Sequence, residues 1–200
     1  MMRKGELTRQ AILERAVRLA SRVGLQGLTI GGLAEELQLS KSGLFAHFRS
    51  KSSLEVEVLE AATTLFTEGV IRPALARPRG EPRIRALFER WLDWARSAAH
   101  EGGCIFVAAA AELDDAPGPA RDKLVQGQKD WLDCIAQTAR TAINEGHFRP
   151  DADVEQFASE LHGVMLACHH ASRLMRDSKA EARARRTFES LLNLYRTPKQ

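Results

Sequence analysis

The chain has 200 residues, of which 44% are hydrophobic, and a formal net charge of +3. This apolar content supports a sizeable core and one or two domains. No run of about 18 apolar residues occurs, which excludes a membrane span, and residues 1–10 lead into an amphipathic pattern instead of a signal-peptide core. A cytoplasmic protein that does not contact a membrane is therefore expected.

The three cysteines, Cys104, Cys134 and Cys168, stand far apart and form no CxxC pair. An odd number at this spacing fits reduced, mostly buried thiols and makes a disulfide framework improbable.

The positive charge collects near the N-terminus. Residues 1–51 contain nine Lys or Arg and four Glu, or +5, whereas the rest of the chain has twenty basic and twenty-two acidic side chains, or −2. This asymmetry favours an anionic partner for the N-terminal segment. The alternative is that the excess serves solubility alone.

A first helix is predicted from its candidate cap, Thr8, to Gly24. Arg3 and Lys4 precede it on an arm that can reach a DNA minor groove, although frayed basic termini without a role are at least as common. Its apolar positions follow helical spacing and are Ile12, Leu13, Ala16, Val17, Leu19 and Ala20.

The pattern of residues 29–48 is typical of a helix-turn-helix. Thr29 and Ser40 each offer a hydroxyl that caps a helix, so two short helices are predicted to begin eleven residues apart. Each helix has one apolar face that is predicted to pack into a shared core. The apolar residues are Ile30, Leu33, Ala34 and Leu37 on the first helix, and Leu44 and Phe48 on the second. The outward side of the second carries residues that suit a nucleic-acid surface: Lys41, Ser42, Gly43, Phe45 and His47.

The rest of the chain predicts further helices and no convincing strand, so the expected fold class is all-α. Ser50 caps a fourth helix that runs until Pro73, and a loop of helix breakers, RPALARPRGEP, follows. The domain boundary is placed inside the fourth helix, near residues 52–56. The predicted domains are residues 1–55, which contain the helix-turn-helix, and residues 56–200.

Five more helices are predicted from Arg83 onward. Residues 104–111 are apolar on every side, so this helix is expected in the interior. The starts of the later helices are marked by Pro119, then by Asp151 or Asp153, then by Ser178 with Glu181 at capping-box spacing.

The order of these parts resembles the TetR family of bacterial transcriptional regulators, in which a three-helix DNA-binding domain precedes a helical ligand-binding and dimerisation domain. The stretch SKSGLFAHFRSK looks like the family's recognition helix running into the cap of helix four, and TIGGLAEEL looks like its helix two. Residues 103–122 are similar to one subset of the family's C-terminal domains.

The resemblance implies DNA contacts at Thr29, Lys41, Ser42, Gly43, Phe45, His47 and Lys51. Thr29 and Lys51 would contact phosphates, residues 41–43 would face base edges or adjacent phosphates, and Phe45 and His47 would lie against the DNA backbone. These roles are physically coherent, because helix N-termini and Lys direct positive charge at phosphate.

This copy departs from the family pattern at four positions. Phe45 stands where Tyr is common and lacks its hydroxyl, and Ala46 is smaller than usual. Gly31 and Gly32 are unusual inside a first helical turn, where each costs up to about 1 kcal/mol relative to Ala. A thymine methyl group could pack on Phe45 or Ala46 and shift part of the specificity to apolar contact.

The resemblance also implies a homodimer through the last two helices and an unidentified apolar or amphipathic ligand. A pocket between helices could borrow several residues that are most simply explained as core. The candidates are Phe66, Phe88, Trp91, Phe106, Trp131, Met165, Cys168 and, as a polar group, His169. His162 shares a face with His169, and a pocket-lining or interface role is favoured over a metal site. No cofactor or metal is expected.

The leading hypothesis is a repressor that binds a near-palindromic DNA operator as a dimer and is released by a small-molecule ligand. One alternative is a ligand-independent architectural DNA-binding protein. Another is a helical ligand carrier or enzyme with a vestigial motif. No nucleophile stands in a recognisable strained turn and no phosphate-binding Gly loop is present, so an enzyme is not expected.

Overall fold

The computed structural model describes residues 9–97 and 102–198, without the side chain of Ala46. Over these ranges the regular structure is helical, and β-type pairing is limited to one isolated antiparallel bridge between Phe148 and Arg196. In chain order the helices are α1 (Arg9–Val23), α2 (Ile30–Glu36), α3 (Lys41–His47), α4 (Lys51–Phe66), α5 (Arg72–Leu75), α6 (Glu81–Arg96), α7 (Ile105–Leu113), α8 (Pro119–Asn144), α9 (Val154–Arg173) and α10 (Ala180–Tyr195).

The all-α prediction is confirmed. A π-helical turn, Thr67–Ile71, joins α4 to α5. If residues 51–75 are counted as one continuous helix, the described ranges contain nine helices, which is the predicted number. The described residues fall into two compact units, one formed by residues up to 65 with 97–126 and the other by residues 66–96 with 127–198.

In the first unit, the predicted hydroxyl caps are confirmed. Thr29 Oγ1 accepts a hydrogen bond from the N–H of Gly32 at 2.9 Å, and Ser40 Oγ accepts one from the N–H of Gly43 at 3.1 Å. Ser50 Oγ caps α4 in the same way. Each bond satisfies a donor that the first turn of a helix leaves unpaired, and this fixes where α2, α3 and α4 begin.

The core of the first unit is a continuous apolar cluster that includes both helices of the helix-turn-helix. Leu33, Leu44 and Phe48 are completely buried in it, together with residues of α1 and α4. Residues of α7 and of the first turns of α8 belong to the same cluster, among them Ile105 and Leu124. Although α7 is distant in sequence, it is part of the unit that contains the helix-turn-helix.

In the second unit, α9 and α10 pack side by side and α6 packs against α9. An aromatic group formed by Phe148, Phe157 and Tyr195 closes one end of this pair, with ring centroids 5.0 to 5.9 Å apart. The hydroxyl of Tyr195 donates a hydrogen bond to Glu160 at 2.8 Å. Burial, with this bond, raises the pKa of Tyr195 to about 12.

The predicted end of the fourth helix at Pro73 is wrong, because the helix continues to Leu75 and only residues 76–80 leave it. In the π-helical turn, the N–H of Arg72 donates to the carbonyl of Thr67, five residues earlier. This widened turn makes room for the proline ring. Pro73 then lies in the first turn of α5, where a missing N–H costs little.

The prediction that residues 104–111 are surrounded on every side is also wrong. Ile105, Ala109 and Leu113 are buried, whereas Ala110 and Ala111 are exposed. The helix packs through one face only, and the small alanine side chains expose little apolar area on the other.

The last two helices start differently from each other. Of the two candidates, Asp153 caps α9 by accepting from the N–H groups of Glu155 and Gln156. The capping box at Ser178 is wrong, because α10 begins at Ala180 and Asp177 accepts from the N–H of Lys179 at 2.8 Å instead. The Thr8 cap and the arm with Arg3 and Lys4 lie outside the described residues.

Candidate nucleic-acid interface

The turn between α2 and α3 sets the geometry of the helix-turn-helix. The N–H of Leu39 donates to the carbonyl of Ala34 at 2.9 Å, and the N–H of Gln38 donates to that of Glu35 at 3.1 Å. These two bonds form a Schellman motif, and Gln38 takes the left-handed conformation (φ 54°) that the motif requires. The chain therefore turns within four residues, and the cap of α3 follows at once.

The outward face of α3 presents donors and one large aromatic ring. Lys41, Ser42 and His47 are exposed, and Phe45 leaves 56% of its surface in solvent. An apolar ring this exposed has no role in the core of the chain, since Leu44 and Phe48 fill that role completely. The face combines positive charge, hydroxyl groups and a flat apolar surface, which suits phosphates and base edges.

Gly31 leaves room for Lys41. A Cβ atom built on Gly31 would stand 3.4 Å from Cε and 3.7 Å from Nζ of Lys41, and 4.0 Å from the hydroxyl of Thr29. The ammonium group of α3 therefore lies beside the first turn of α2, close to its cap. A single methyl group would stand in ordinary van der Waals contact here, so only a side chain longer than that of alanine would displace Lys41.

Lys51, the first residue of α4, is held by the turn that precedes α2. Its Nζ donates to the carbonyl of Gln26 at 2.6 Å and lies 3.7 Å from a carboxylate oxygen of Glu55. Its side chain is nevertheless 48% exposed. An ammonium group has three donors, so one remains for a phosphate.

Two exposed residues in the same region were not selected by the sequence analysis. Arg49 lies two residues beyond the end of α3, and Ser40 exposes its hydroxyl beside that of Ser42, 3.3 Å away. Arg49 lies outside the helix and so carried no periodic signal, and Ser40 was interpreted only as a cap. Thr29 is also exposed, and its hydroxyl can still donate while it caps α2.

Seven of the eight candidate pocket residues belong to the second unit, and Phe106 belongs to the first. Phe66 meets Trp131 edge to face at 5.1 Å and Trp94 at 5.3 Å. Phe88 stacks on Phe188 at 4.2 Å. Trp91 and Met165 are buried core residues of the second unit, whereas Phe106 is a half-buried residue of the first.

Cys168 and His169, the remaining candidates, are adjacent on α9. Cys168 lines a shallow groove of about 360 Å³ between α9 and α10, whose other walls are mostly Gly and Ala. Burial raises the pKa of the Cys168 thiol and lowers the pKa values of His162 and His169, which keeps both histidines neutral near pH 7. Among the described residues, no three side chains are placed to hold a metal ion.

A second cleft, of about 850 Å³, lies in the second unit along α5 and α6. Its walls are proline rings, charged side chains such as Arg77, Glu81 and Arg90, and the imidazole of His147, and it contains none of the eight candidates. None of the described helices is long and apolar enough to cross a bilayer.

The capped turn and the exposed cationic and aromatic face of α3 define a DNA-binding protein of the helix-turn-helix class. Residues 12–58 match the family model described as bacterial regulatory proteins, tetR family, and residues 80–188 match the one described as tetracyclin repressor-like, C-terminal domain. The chain belongs to the TetR family of transcriptional regulators.

Relatives and solved structures agree with this assignment. The HTH-type transcriptional repressor KstR2 of Mycobacterium tuberculosis is 30% identical over 157 residues, which cover 76% of this chain and 72% of KstR2. A TetR regulator from Chloroflexus aurantiacus has the same fold, with a TM-score of 0.83, 23% identity and 96% of each chain covered. AibR, solved with isovaleryl coenzyme A and operator DNA, has a TM-score of 0.70 and 22% identity, with 96% of this chain and 100% of AibR covered.

Proposed function

We propose that the chain is a repressor that binds a near-palindromic operator as a homodimer and leaves it when a small ligand binds. The observation that carries this proposal is the outward face of α3, where Lys41, Ser42, Phe45 and His47 are exposed on a helix whose start is fixed by Ser40. A regulator of this kind acts where the bacterial chromosome lies, in the cytoplasm.

The DNA contacts divide into positioning and reading. Thr29 and Lys51 bind phosphates at the edges of the groove and set the register of α3. Lys41, Ser42 and the backbone at Gly43 face base edges or neighbouring phosphates. Positioning contacts supply affinity that falls with salt, and groove contacts supply the sequence preference.

The dimer forms through α9 and α10. The groove between these helices is lined by small residues, including Gly163, Ala167 and Ala184, which allow another helix to approach closely. Large apolar side chains, Leu166 and Leu174, are exposed on α9 and at its end. A two-fold dimer presents two recognition helices roughly 34 to 36 Å apart, about one DNA turn, and this spacing demands an inverted repeat.

The effector is apolar or amphipathic, because the candidate residues of the second unit are mostly aromatic. Phe66 and Trp131 are the favoured contacts. AibR was solved with isovaleryl coenzyme A, and a protein of the same fold from Saccharomonospora viridis was solved with choline, so the chemical identity of this effector has to be measured. Ligand binding can be followed by the fluorescence of Trp131, because a ligand beside Phe66 would change the surroundings of the Trp131 ring.

The proposal is tested by gel-shift titration of the full-length protein on the DNA that flanks its gene, at several salt concentrations. Saturable binding that weakens steeply with salt and is reversed by a small molecule is expected. Equal binding to every fragment, with no molecule that reverses it, would favour an architectural protein. Tight ligand binding or turnover without salt-dependent DNA affinity would favour a carrier or enzyme.

A further inference from the structure

Glu112 on α7 is hydrogen-bonded to the turn between α1 and α2. Its Oε2 accepts from the backbone N–H of Gln26 at 2.7 Å, and its backbone carbonyl accepts from Nε2 of Gln26 at 3.1 Å. Two bonds therefore join residues that are 86 positions apart in the chain. Both partners belong to the unit that contains the helix-turn-helix.

The turn is shaped to receive this carboxylate. Gly24 ends α1 with φ 80°, a conformation that favours glycine, and a Cβ atom at this position would stand only 2.1 Å from Oε1 of Glu112. Leu25 and Leu28 are almost completely buried on either side of Gln26. The turn is thus anchored in the core, and its outer side is closed by Glu112.

The same turn holds Lys51, because the carbonyl of Gln26 accepts a hydrogen bond from its Nζ at 2.6 Å. The groups are also linked by charge: burial raises the pKa of Glu55, Lys51 opposes this effect, and the charge of Glu112 adds to it. A continuous polar path leads from α7 through the backbone N–H and carbonyl of one residue, Gln26, to the ammonium group at the start of α4.

We propose that Glu112 is a positioning residue for DNA binding, which fixes the backbone of Gln26 and thereby directs the ammonium group of Lys51 toward a DNA phosphate. This inference rests on the proposed function. It gives α7 a role in the affinity for DNA although no residue of α7 contacts the nucleic acid. A free lysine side chain would have to be ordered at the moment of binding, and the bond to Gln26 removes part of that entropy cost.

The test compares Glu112→Ala with Glu112→Gln and with a matched control, Asp115→Ala, on a duplex covering the inverted repeat that footprinting protects. Asp115 is exposed three residues further along. Glu112→Ala is expected to weaken binding severalfold and to reduce the slope of log affinity against log salt by about 0.9, the loss of one phosphate contact. Glu112→Gln keeps an oxygen acceptor and is expected to retain the wild-type slope, as is Asp115→Ala.

A double-mutant cycle with Lys51→Ala separates positioning from stability. If Glu112 acts through Lys51, then Glu112→Ala causes no further loss of affinity in the Lys51→Ala background. If the two substitutions cause independent, additive losses of DNA affinity, the inference is overturned. It is also overturned if Glu112→Ala melts at a lower temperature but binds DNA with wild-type affinity and salt slope. Neither result contradicts the proposed function. A wild-type protein that protects no DNA would overturn the proposed function as well. If Glu112→Ala does not fold, a Glu112→Gln protein with a reduced slope contradicts the inference.

Discussion

The ammonium nitrogen of Lys41 lies 3.7 Å from the point where a Cβ atom on Gly31 would stand, so the recognition helix places its first cation against the first turn of the preceding helix. The cationic group and the start of α2 form one surface, on which the exposed hydroxyl of Thr29 also lies.

Gly31→Ala is expected to raise the free energy of unfolding by about 0.5–1 kcal/mol, because the new methyl group has ordinary van der Waals room beside Lys41 and alanine favours the helix. Gly31→Leu should instead displace Lys41 and weaken DNA binding. Urea denaturation and gel shifts measure the two effects. A destabilised Gly31→Ala would show that the glycine serves another purpose.

Lys41→Ala is expected to weaken DNA binding without loss of folding, because the side chain is exposed and touches only the surface of α2. If the ammonium group binds a phosphate, the slope of log affinity against log salt falls by about 0.9. Lys129→Ala, which removes an exposed lysine of α8, is the control and should keep the wild-type slope. An unchanged slope in Lys41→Ala would remove Lys41 from the phosphate contacts.

Phe45 is expected to read a thymine methyl group. Replacing the thymines of one half-site in turn by uracil, which lacks the methyl, should cost about 0.8 kcal/mol, or fourfold in affinity, at one position. The Phe45→Ala variant should bind the thymine and the uracil duplex with equal affinity at that position. Its unfolding free energy should stay within about 0.5 kcal/mol of the wild type, because the ring is mostly exposed. If the uracil replacement lowers the affinity of the wild type and of Phe45→Ala equally, the ring contacts the DNA backbone instead of a thymine methyl group.

Gln38→Gly is expected to stabilise the protein by about 1 kcal/mol, since glycine adopts the left-handed conformation of this turn at no steric cost. Gln137→Gly provides the contrast: the same change at an exposed position inside α8 should destabilise the protein by about 1 kcal/mol. Thermal or urea unfolding measures whether the free energy of unfolding rises in Gln38→Gly and falls in Gln137→Gly. A loss of stability in Gln38→Gly would contradict the description of the turn.

Tyr195 is expected to make stability depend on pH in the alkaline range. Its pKa is raised from 10 to about 12 in the folded chain, so its contribution is complete below pH 10 and is lost as the pH rises toward 12. Tyr195→Phe also loses the hydrogen bond to Glu160 and should be less stable by about 1–2 kcal/mol at neutral pH. The difference between the two proteins should shrink between pH 10 and 12, and a constant difference would exclude the titration.

The parts of the fold that depend on local chemistry could be predicted from the sequence. Thr29, Ser40 and Ser50 cap their helices through bonds to residues three positions away, and such short-range bonds leave a clear sequence pattern. The outward positions of α3 followed from helical periodicity in the same way. Whether each of these residues touches DNA remains a prediction.

Features that depend on distant partners were missed or misjudged. The π-helical turn before Pro73 changes the hydrogen-bond pairing of the backbone, which side-chain periodicity does not report. The bond between Glu112 and Gln26 joins α7 to a turn that is 86 residues away in the chain, so no sequence spacing indicates it. Ala110 and Ala111 of α7 were expected to be buried because they are apolar, but their small size lets them lie in solvent at little cost.

Footprinting of the DNA that flanks the gene tests most directly the central claim that two copies of the helix-turn-helix bind one operator. We expect two protected half-sites that form an inverted repeat, with centres roughly 34 to 36 Å apart on one face of the duplex, and we expect Lys41→Ala to weaken protection of both. A lack of any protected inverted repeat at low salt would contradict the account.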